Sequence, residues 1–175
     1  MSDRAKWLDR VFDVGVPVGL LPNAIERLRG TPARLEELVQ GVPTEIRLAT
    51  ADGAWSIQEN VGHFLDLEPL WAGRVDDLLA GAEVLQPADL TNAKTEQAKH
   101  NTAVLNDLLA RFRELRMTLV RRFEALDDEQ QLVHARHPRL DQPMRPVDLA
   151  LFVAEHDDHH LATIRQAIRA GGSLG

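Results

Sequence analysis

Two histidines near the end of the chain are spaced so that they could bind one metal ion together. His156 and His160 are four residues apart in the segment EHDDHHLATI, which spans residues 155–164. Residues four apart lie on one face of a helix, and this face also carries Leu149 and Val153, so we expect it to point into the core. Burial of an imidazole costs free energy unless the ring has a partner. A divalent metal ion is one such partner, and hydrogen bonding or solvation of the two rings is the alternative.

His63 is the candidate third ligand. Ser56 and Glu59 form the S-x-x-E pattern of a capping box, which predicts that a helix begins near Ser56 and runs to about Ala80. His63 lies about two turns into this helix, on or beside its apolar stripe. Three neutral imidazoles leave at least one coordination position for water or substrate, which is typical of catalytic rather than structural zinc sites.

Side chains near these histidines are candidates for orienting the rings or forming a pocket. Asp66 and Glu59 are within helical reach of His63, and carboxylates often accept the second N–H of a ligand imidazole. His159 is about 100° of helical arc from His160 and about 60° from His156, so we expect it at the rim of the site. Trp71, two turns beyond His63, could form a wall of a substrate pocket, and core packing is its other interpretation.

The remaining histidines and two nearby arginines are expected to be ordinary surface residues. The histidines are His100, His134 and His137, which lie on a polar helix start or in a loop. The arginines are Arg74 and Arg145, and contact with an anionic cofactor is their other interpretation.

Four helical segments must position the candidate ligands. Apolar stripes predict them over residues 23–40 (one kinked helix or two abutting ones), 56–80, 94–126 and 146–170, and no strand-like alternation is evident. The fold class predicted is all-α, a four-helix bundle, and such bundles often hold metals between facing helices. A short additional helix is expected over residues 3–14, so the chain divides into an N-terminal extension, 1–22, and the bundle, 23–175.

Composition narrows the range of functions. The chain has 175 residues and a formal charge of −7, so it should repel a phosphate backbone, and it has no basic stripe that would favour nucleic-acid binding. It has no apolar run of about 20 residues that could span a membrane, and we expect a cytoplasmic protein. It has no cysteine, so any thiol chemistry must come from a bound small molecule.

Two motifs resemble those of the DinB/YfiT-like family. Residues 55–66, WSIQENVGHFLD, are similar to the family pattern W-S-x-x-E-x-x-x-H-x-x-D. Residues 156–164, HDDHHLATI, are similar to H-x-x-H-H-x-x-Q-I, with Thr163 where glutamine is usual. The resemblance covers roughly residues 23–170.

The resemblance implies a four-helix bundle with a divalent metal, zinc or nickel, held by His63, His156 and His160. Family members include S-transferases that use bacillithiol, mycothiol or glutathione, a thiol-dependent maleylpyruvate isomerase, and proteins described as metal-dependent hydrolases. We therefore expect a metal-dependent S-transferase that joins a low-molecular-weight thiol to an electrophilic small molecule, in a homodimer. A metal-dependent hydrolase is one alternative, and a non-catalytic helical binding protein with a structural or lost metal is another.

Overall fold

Four long helices form a bundle in the computed structural model, which describes residues 5–50 and 53–172. They are α1 (Leu21–Val39), α3 (Ile57–Leu79), α5 (Leu105–Glu124) and α6 (Pro146–Gly172), and two short helices, α2 (Thr44–Arg47) and α4 (Ala93–Gln97), lie in the connections. Helices α1 and α3 each pack against both α5 and α6. This architecture confirms the predicted all-α four-helix bundle. Within the described residues, every helix is too short or too polar to cross a lipid bilayer.

Local sequence determines where α3 begins. The Ser56 hydroxyl accepts a hydrogen bond from the backbone N–H of Glu59 at 3.0 Å, and the Glu59 carboxylate accepts one from the N–H of Ser56 at 2.8 Å. These two bonds satisfy backbone donors that have no partner within the helix. They start α3 at Ile57, which places His63 two turns further along.

The helical segment predicted over residues 3–14 is shorter than expected. Among residues 5–20, the helical elements are 3-10 turns at Trp7–Asp9 and Val18–Leu20, and the first residues of the prediction lie outside the described part. The apolar side chains of this segment pack onto α6 instead. The ring centroids of Trp7 and Phe12 lie 5.1 and 4.9 Å from that of Phe152. The segment therefore covers the bundle with separate aromatic anchors rather than with a helical stripe.

The prediction of a single helix over residues 94–126 is wrong, because this range contains three helical pieces. It is divided into α4, a 3-10 turn at His100–Thr102, and α5. Lys99 has a left-handed φ of 51°, which ends the first piece because a right-handed helix cannot continue through that conformation. The break folds the 93–102 connection against α3 and buries Thr95 and His100 there.

A two-stranded hairpin that the sequence did not suggest lies between α5 and α6. Strands β1 (Ala135–His137) and β2 (Gln142–Met144) pair antiparallel, with Ala135 opposite Met144. Arg136 on β1 also exchanges backbone hydrogen bonds with the chain that follows α3, accepting from Leu85 at 3.0 Å. Strands of three residues are too short to show a clear alternation of apolar and polar residues. The hairpin places His137 and Arg139 beside the bundle.

A buried polar network joins the four long helices. Arg116 of α5, with a relative exposure of 0%, donates hydrogen bonds to Glu68 of α3 and Asp157 of α6. Thr31 of α1 donates to the same Asp157 carboxylate at 2.7 Å. Because Asp157 follows His156 directly, the network also fixes the segment of α6 that carries the candidate ligands.

Candidate metal centre

The structure brings the three candidate metal ligands together inside the bundle. His63 on α3 and the pair His156 and His160 on α6 each offer a ring nitrogen, and these nitrogens all lie within 4.8 Å of one another. His63 and His156 are buried, and His160 is partly exposed. Bonds of about 2.1 Å to one zinc ion require nitrogens no more than about 4.2 Å apart, so the rings would have to move slightly closer to share an ion.

Thr95 fixes the tautomer of His63. Its hydroxyl donates a hydrogen bond to Asp66 at 2.9 Å, so it offers only a lone pair to Nδ1 of His63, 3.0 Å away. Nδ1 of His63 must therefore carry the ring proton, and Nε2 presents its lone pair. Asp66 also binds Nε2 of His100 at 2.7 Å. Asp66, predicted to orient His63 directly, thus reaches it through Thr95.

Asn60 fixes the tautomer of His160 in a similar way. Its side-chain amide donates to the backbone carbonyl of Ser56 at 2.8 Å, which turns the amide oxygen toward Nδ1 of His160 at 3.0 Å. Nδ1 therefore donates to this oxygen, and Nε2 of His160 keeps its lone pair.

Burial keeps two of the three rings neutral. Desolvation lowers the pKa of His63 from 6.5 to about 4, with the neighbouring Asp66 acting in the opposite direction. Desolvation, with a smaller effect of His63, lowers the pKa of His156 well below its ordinary value. Neutral imidazole is the form that binds metal ions, so both rings are ready to bind at pH 7.

The other predicted site residues lie in different surroundings. The Glu59 carboxylate accepts from the N–H of Ser56 in the capping box, and we find it there rather than at His63. The ring of His159 lies 5.4 Å from that of His160 and 5.8 Å from that of Trp7. Trp71 is 3% exposed and its ring lies edge-on to His156 at 5.6 Å. His159 and Trp71 both line the cavity described next.

A cavity of about 440 Å³ opens over the three imidazoles. Its walls are mainly aromatic and aliphatic, and they include all three tryptophans of the chain. Its apolar lining residues include Trp7, Trp55, Leu67, Leu70, Trp71 and Phe152. Concave, largely apolar cavities with a few convergent polar groups are typical of small-molecule sites.

Sequence reasoning missed several buried polar residues around this cavity. His100 and His137, expected at the surface, are 5% and 2% exposed, and Arg74, also expected there, is 1% exposed. One signal was present for His100, because Gly62 interrupts an apolar helical segment and a Cβ there would lie 2.2 Å from the His100 ring. Arg145 does lie outside the site, where its guanidinium binds Asp148 at 3.0 Å.

Comparisons with known proteins agree with the fold. The chain matches the DinB superfamily over residues 27–164. Its structure is similar to that of YfiT from Bacillus subtilis, described as "a probable metal-dependent hydrolase with an unusual four-helix bundle topology". The two are 26% identical with a TM-score of 0.78, over 93% of this chain and 94% of YfiT. A protein from Clostridium difficile 630 shares the fold at 15% identity and a TM-score of 0.63, over 94% of this chain and 99% of the other. Comparison with curated proteins gave no match. The chain belongs to the DinB superfamily.

Proposed function

We propose that the protein is a divalent-metal-dependent enzyme that directs a small nucleophile against an electrophilic small molecule. The observation that carries the proposal is the convergence of His63, His156 and His160 at one side of a largely apolar cavity. The donor set fits a metal: two rings have Nδ1 engaged by Thr95 and Asn60 and present Nε2. The description of YfiT as a probable metal-dependent hydrolase supports the same class of activity.

The residues around the triad have separable roles in this proposal. Thr95 and Asn60 hold two ligand rings in a fixed tautomer and orientation. Trp71 and Phe152 shield the cavity from water, which strengthens electrostatic interactions inside it. A divalent ion, when bound, would lower the pKa of a coordinated water or thiol and so supply a nucleophile at neutral pH.

Two nucleophiles fit this arrangement. The first is a low-molecular-weight thiol of the bacillithiol or mycothiol kind, which would make the protein an S-transferase. Because the chain has no cysteine, the sulfur would come from that bound thiol. The second is water, which would make the protein a hydrolase, and the description of YfiT is compatible with this alternative. Three protein ligands leave a coordination position for either one.

Metal binding tests the class of activity. We would titrate metal-free protein with Zn²⁺ and Ni²⁺ by calorimetry and measure bound metal by mass spectrometry. We expect one ion per chain, with an affinity that falls at least about 100-fold in His160→Ala. His134→Ala is the matched control, because His134 is exposed and lies outside the triad. Equal metal binding by the wild type and His160→Ala would refute the proposal.

Turnover then separates the two reactions. Metal-loaded protein would be incubated with 1-chloro-2,4-dinitrobenzene and each candidate thiol, and separately with p-nitrophenyl acetate without thiol. Conjugation that needs one thiol and is lost in His160→Ala supports transfer. Ester cleavage without thiol, lost in the same variant, supports hydrolysis. Activity in neither assay with a fully loaded centre would favour a non-catalytic metal protein.

A further inference from the structure

The cavity has a cationic end that the proposed metal centre does not use. Arg74, Arg139 and His137 line it together with the three candidate ligands. Neither arginine forms a salt bridge with any carboxylate in residues 5–50 and 53–172. Asp89 also lines the cavity, but its carboxylate is held by hydrogen bonds from Thr91 and from the N–H of Ala93 and forms no salt bridge with either arginine. Asp77 attracts the charge of Arg74 without forming a salt bridge with it, so in a chain with a formal charge of −7 both guanidinium groups lack a carboxylate in direct contact within the described part of the chain.

Arg74 is the more deeply buried of the two arginines. Its Nε donates to the backbone carbonyl of Gln86 at 3.1 Å, and its Nη1 lies 3.1 Å from Nε2 of His137. Its guanidinium carbon lies 5.4 Å from the ring centroid of Trp71. Its Nη2 makes no hydrogen bond to the described part of the chain. The Arg74 guanidinium, in a residue that is only 1% exposed, therefore has N–H groups that could still donate to a ligand.

His137 places a second donor against Arg74. Its Nδ1 accepts hydrogen bonds from the backbone N–H groups of Arg139 and Leu140, both at 3.2 Å, so this nitrogen carries the lone pair. Burial, with the charges of Arg74 and Arg139, lowers the pKa of His137 to about 3, and the ring is neutral. Its single proton is therefore on Nε2, where it faces the Nη1 donor of Arg74. Two donors 3.1 Å apart repel unless one acceptor takes both.

Arg139 adds a third group with unused donor capacity. Its Nη1 donates to the backbone carbonyl of Leu8 at 3.2 Å, and its guanidinium carbon lies 5.9 Å from the Phe152 ring centroid. Its Nη2 is buried and has no hydrogen-bond partner among residues 5–50 and 53–172. A buried donor of a charged group without an acceptor costs free energy, and a ligand acceptor would recover it once the guanidinium turns Nη2 toward the cavity that Arg139 lines.

The N–H donors of Arg74, His137 and Arg139 would all be satisfied by one kind of partner, a negatively charged hydrogen-bond acceptor. We propose that Arg74, Arg139 and His137 form a subsite for a carboxylate, and that the substrates of the proposed enzyme are small carboxylic acids with an apolar body. The planar guanidinium fork matches the two oxygens of a carboxylate. The Nε2–H of His137 supplies a further donor beside Arg74.

The remaining cavity fits such a molecule. Leu67, Leu70 and Trp71 lie between His63 and Arg74 on α3 and line the cavity with apolar surface. His63 and Arg74 are separated by about 16 Å along the helix axis at 1.5 Å per residue. A substrate held at the arginines would therefore direct its other end toward the three imidazoles. This orientation rests on the proposed function, whereas carboxylate binding itself does not.

The test compares two probes of nearly the same size and shape, one an anionic carboxylate and the other a neutral amide. Metal-free protein, kept in chelator, would be titrated with 4-phenylbutyrate and with 4-phenylbutyramide, and tryptophan fluorescence would report binding because all three tryptophans line the cavity. We expect the carboxylate to bind at least about tenfold more tightly than the amide. Removal of metal matters because a carboxylate could otherwise bind the ion itself.

Two substitutions assign the preference to the subsite. Arg139→Gln should reduce the preference for the carboxylate to less than about threefold, and Arg139 is only partly buried, so we expect the variant to fold. Arg136→Gln is the matched control, because it removes the same charge from an exposed residue of the same hairpin. If Arg139→Gln does not fold, Arg139→Lys, which keeps the charge without the fork, should reduce the preference several-fold.

Three results would overturn the inference. They are equal affinities of the wild type for the two probes, no binding of either probe at millimolar concentration, and the same loss in Arg136→Gln as in Arg139→Gln. Because the titration needs no metal, its outcome is independent of the His160→Ala metal test. A protein that prefers the carboxylate but binds no metal would refute the proposed function and leave the subsite standing.

Discussion

The hydroxyl of Thr95 lies 3.0 Å from Nδ1 of His63 and donates its own proton to Asp66. Because that proton is committed to the carboxylate, only an oxygen lone pair faces the imidazole, and Nδ1 must donate. One candidate ligand is thus held in the tautomer that leaves Nε2 free for a metal ion. The Asp66 carboxylate, which also binds Nε2 of His100 at 2.7 Å, is the negatively charged acceptor at the end of this chain of hydrogen bonds.

We predict that Thr95→Val lowers the affinity for Zn²⁺ or Ni²⁺ by about 10- to 100-fold, the usual cost of removing a partner of a metal-ligating histidine. Valine has nearly the shape of threonine but cannot accept from Nδ1, so His63 loses the contact that fixes its tautomer and orientation. Competition with a fluorescent chelator would measure the change.

Two controls accompany this prediction. Thr102→Val should leave the affinity unchanged, because that exposed hydroxyl donates only to the carbonyl of Lys99. Thr95→Ser, which keeps the hydroxyl, should retain most of the wild-type affinity. If Thr95→Val bound metal as tightly as the wild type, the hydroxyl would not be what prepares His63.

The parts of the fold that local sequence determines were predictable. The start of α3 follows from Ser56 and Glu59, which are three residues apart and satisfy each other's backbone donors. The common face of His156 and His160 follows from helical geometry alone. Both features need only residues within one turn of each other, so periodicity and capping patterns reveal them.

The contacts that complete the site were not predictable, because they join residues far apart in the chain. Thr95 and Asn60 are polar residues of types that are also common on protein surfaces. Only the tertiary fold brings them into hydrogen-bond contact with His63 and His160. His137 appeared to be a loop histidine because nothing local indicates that Arg74 would be buried beside it. Secondary-structure propensity describes each residue's own preference for helix or strand, whereas the burial of a side chain depends on these distant partners.

Gly62 gives α3 room for the ring of His100, and we predict that Gly62→Ala is destabilising. A Cβ at this position would lie 2.2 Å from Cγ and Cδ2 of that ring, so the ring must move and its 2.7 Å bond to Asp66 must weaken. We expect the free energy of unfolding to fall by about 1–3 kcal/mol, as for other overpacked sites. Chemical denaturation of the metal-free protein would measure it.

Gly30→Ala is the matched substitution within another helix. The nearest neighbour of a Cβ there is Nε of Arg34 at 4.0 Å, and Gly30 lies inside α1. Alanine should therefore stabilise the protein by up to about 1 kcal/mol through helix propensity alone. If both substitutions were stabilising by similar amounts, the packing of His100 against Gly62 would be contradicted.

The metal-free protein should lose stability as the pH falls below 6.5. Burial lowers the pKa of His63 to about 4 in the folded state, against an ordinary value of 6.5. Between these values the unfolded chain binds a proton that the folded chain does not, so the free energy of unfolding decreases with falling pH. For His63 alone the loss reaches roughly 3 kcal/mol near pH 4, and above pH 6.5 the contribution vanishes because both states are neutral.

Urea denaturation between pH 4 and pH 7.5 would measure this dependence. His63→Gln, which is neutral throughout, should show a shallower loss of stability than the wild type, whereas exposed His134→Ala should keep the wild-type slope. Saturation with metal should steepen the dependence, since protons then compete with the ion for the imidazoles. Identical slopes for His63→Gln and the wild type would show that His63 titrates normally.

Arg116 neutralises two buried carboxylates, and we predict that Arg116→Met lowers the free energy of unfolding by about 3–5 kcal/mol. Removal of the guanidinium would leave Glu68 and Asp157 buried together without a counter-charge. Burial already raises the pKa of Glu68, so this carboxyl should take up a proton in the variant and make its stability fall with rising pH. Thermal and urea denaturation at pH 5 and pH 8 would measure both effects.

Arg113→Met, one turn earlier on α5, separates the effect of burial from that of charge. Arg113 also forms an ion pair, with Glu36 at 2.6 Å, but both side chains are substantially exposed. Its loss should cost less than about 1 kcal/mol, because water solvates the Glu36 carboxylate that remains. Adding Glu68→Gln to Arg116→Met should recover part of the lost stability, since it removes one of the two uncompensated charges. If Arg113→Met and Arg116→Met cost the same, the network around Asp157 would not hold the helices as the structure indicates.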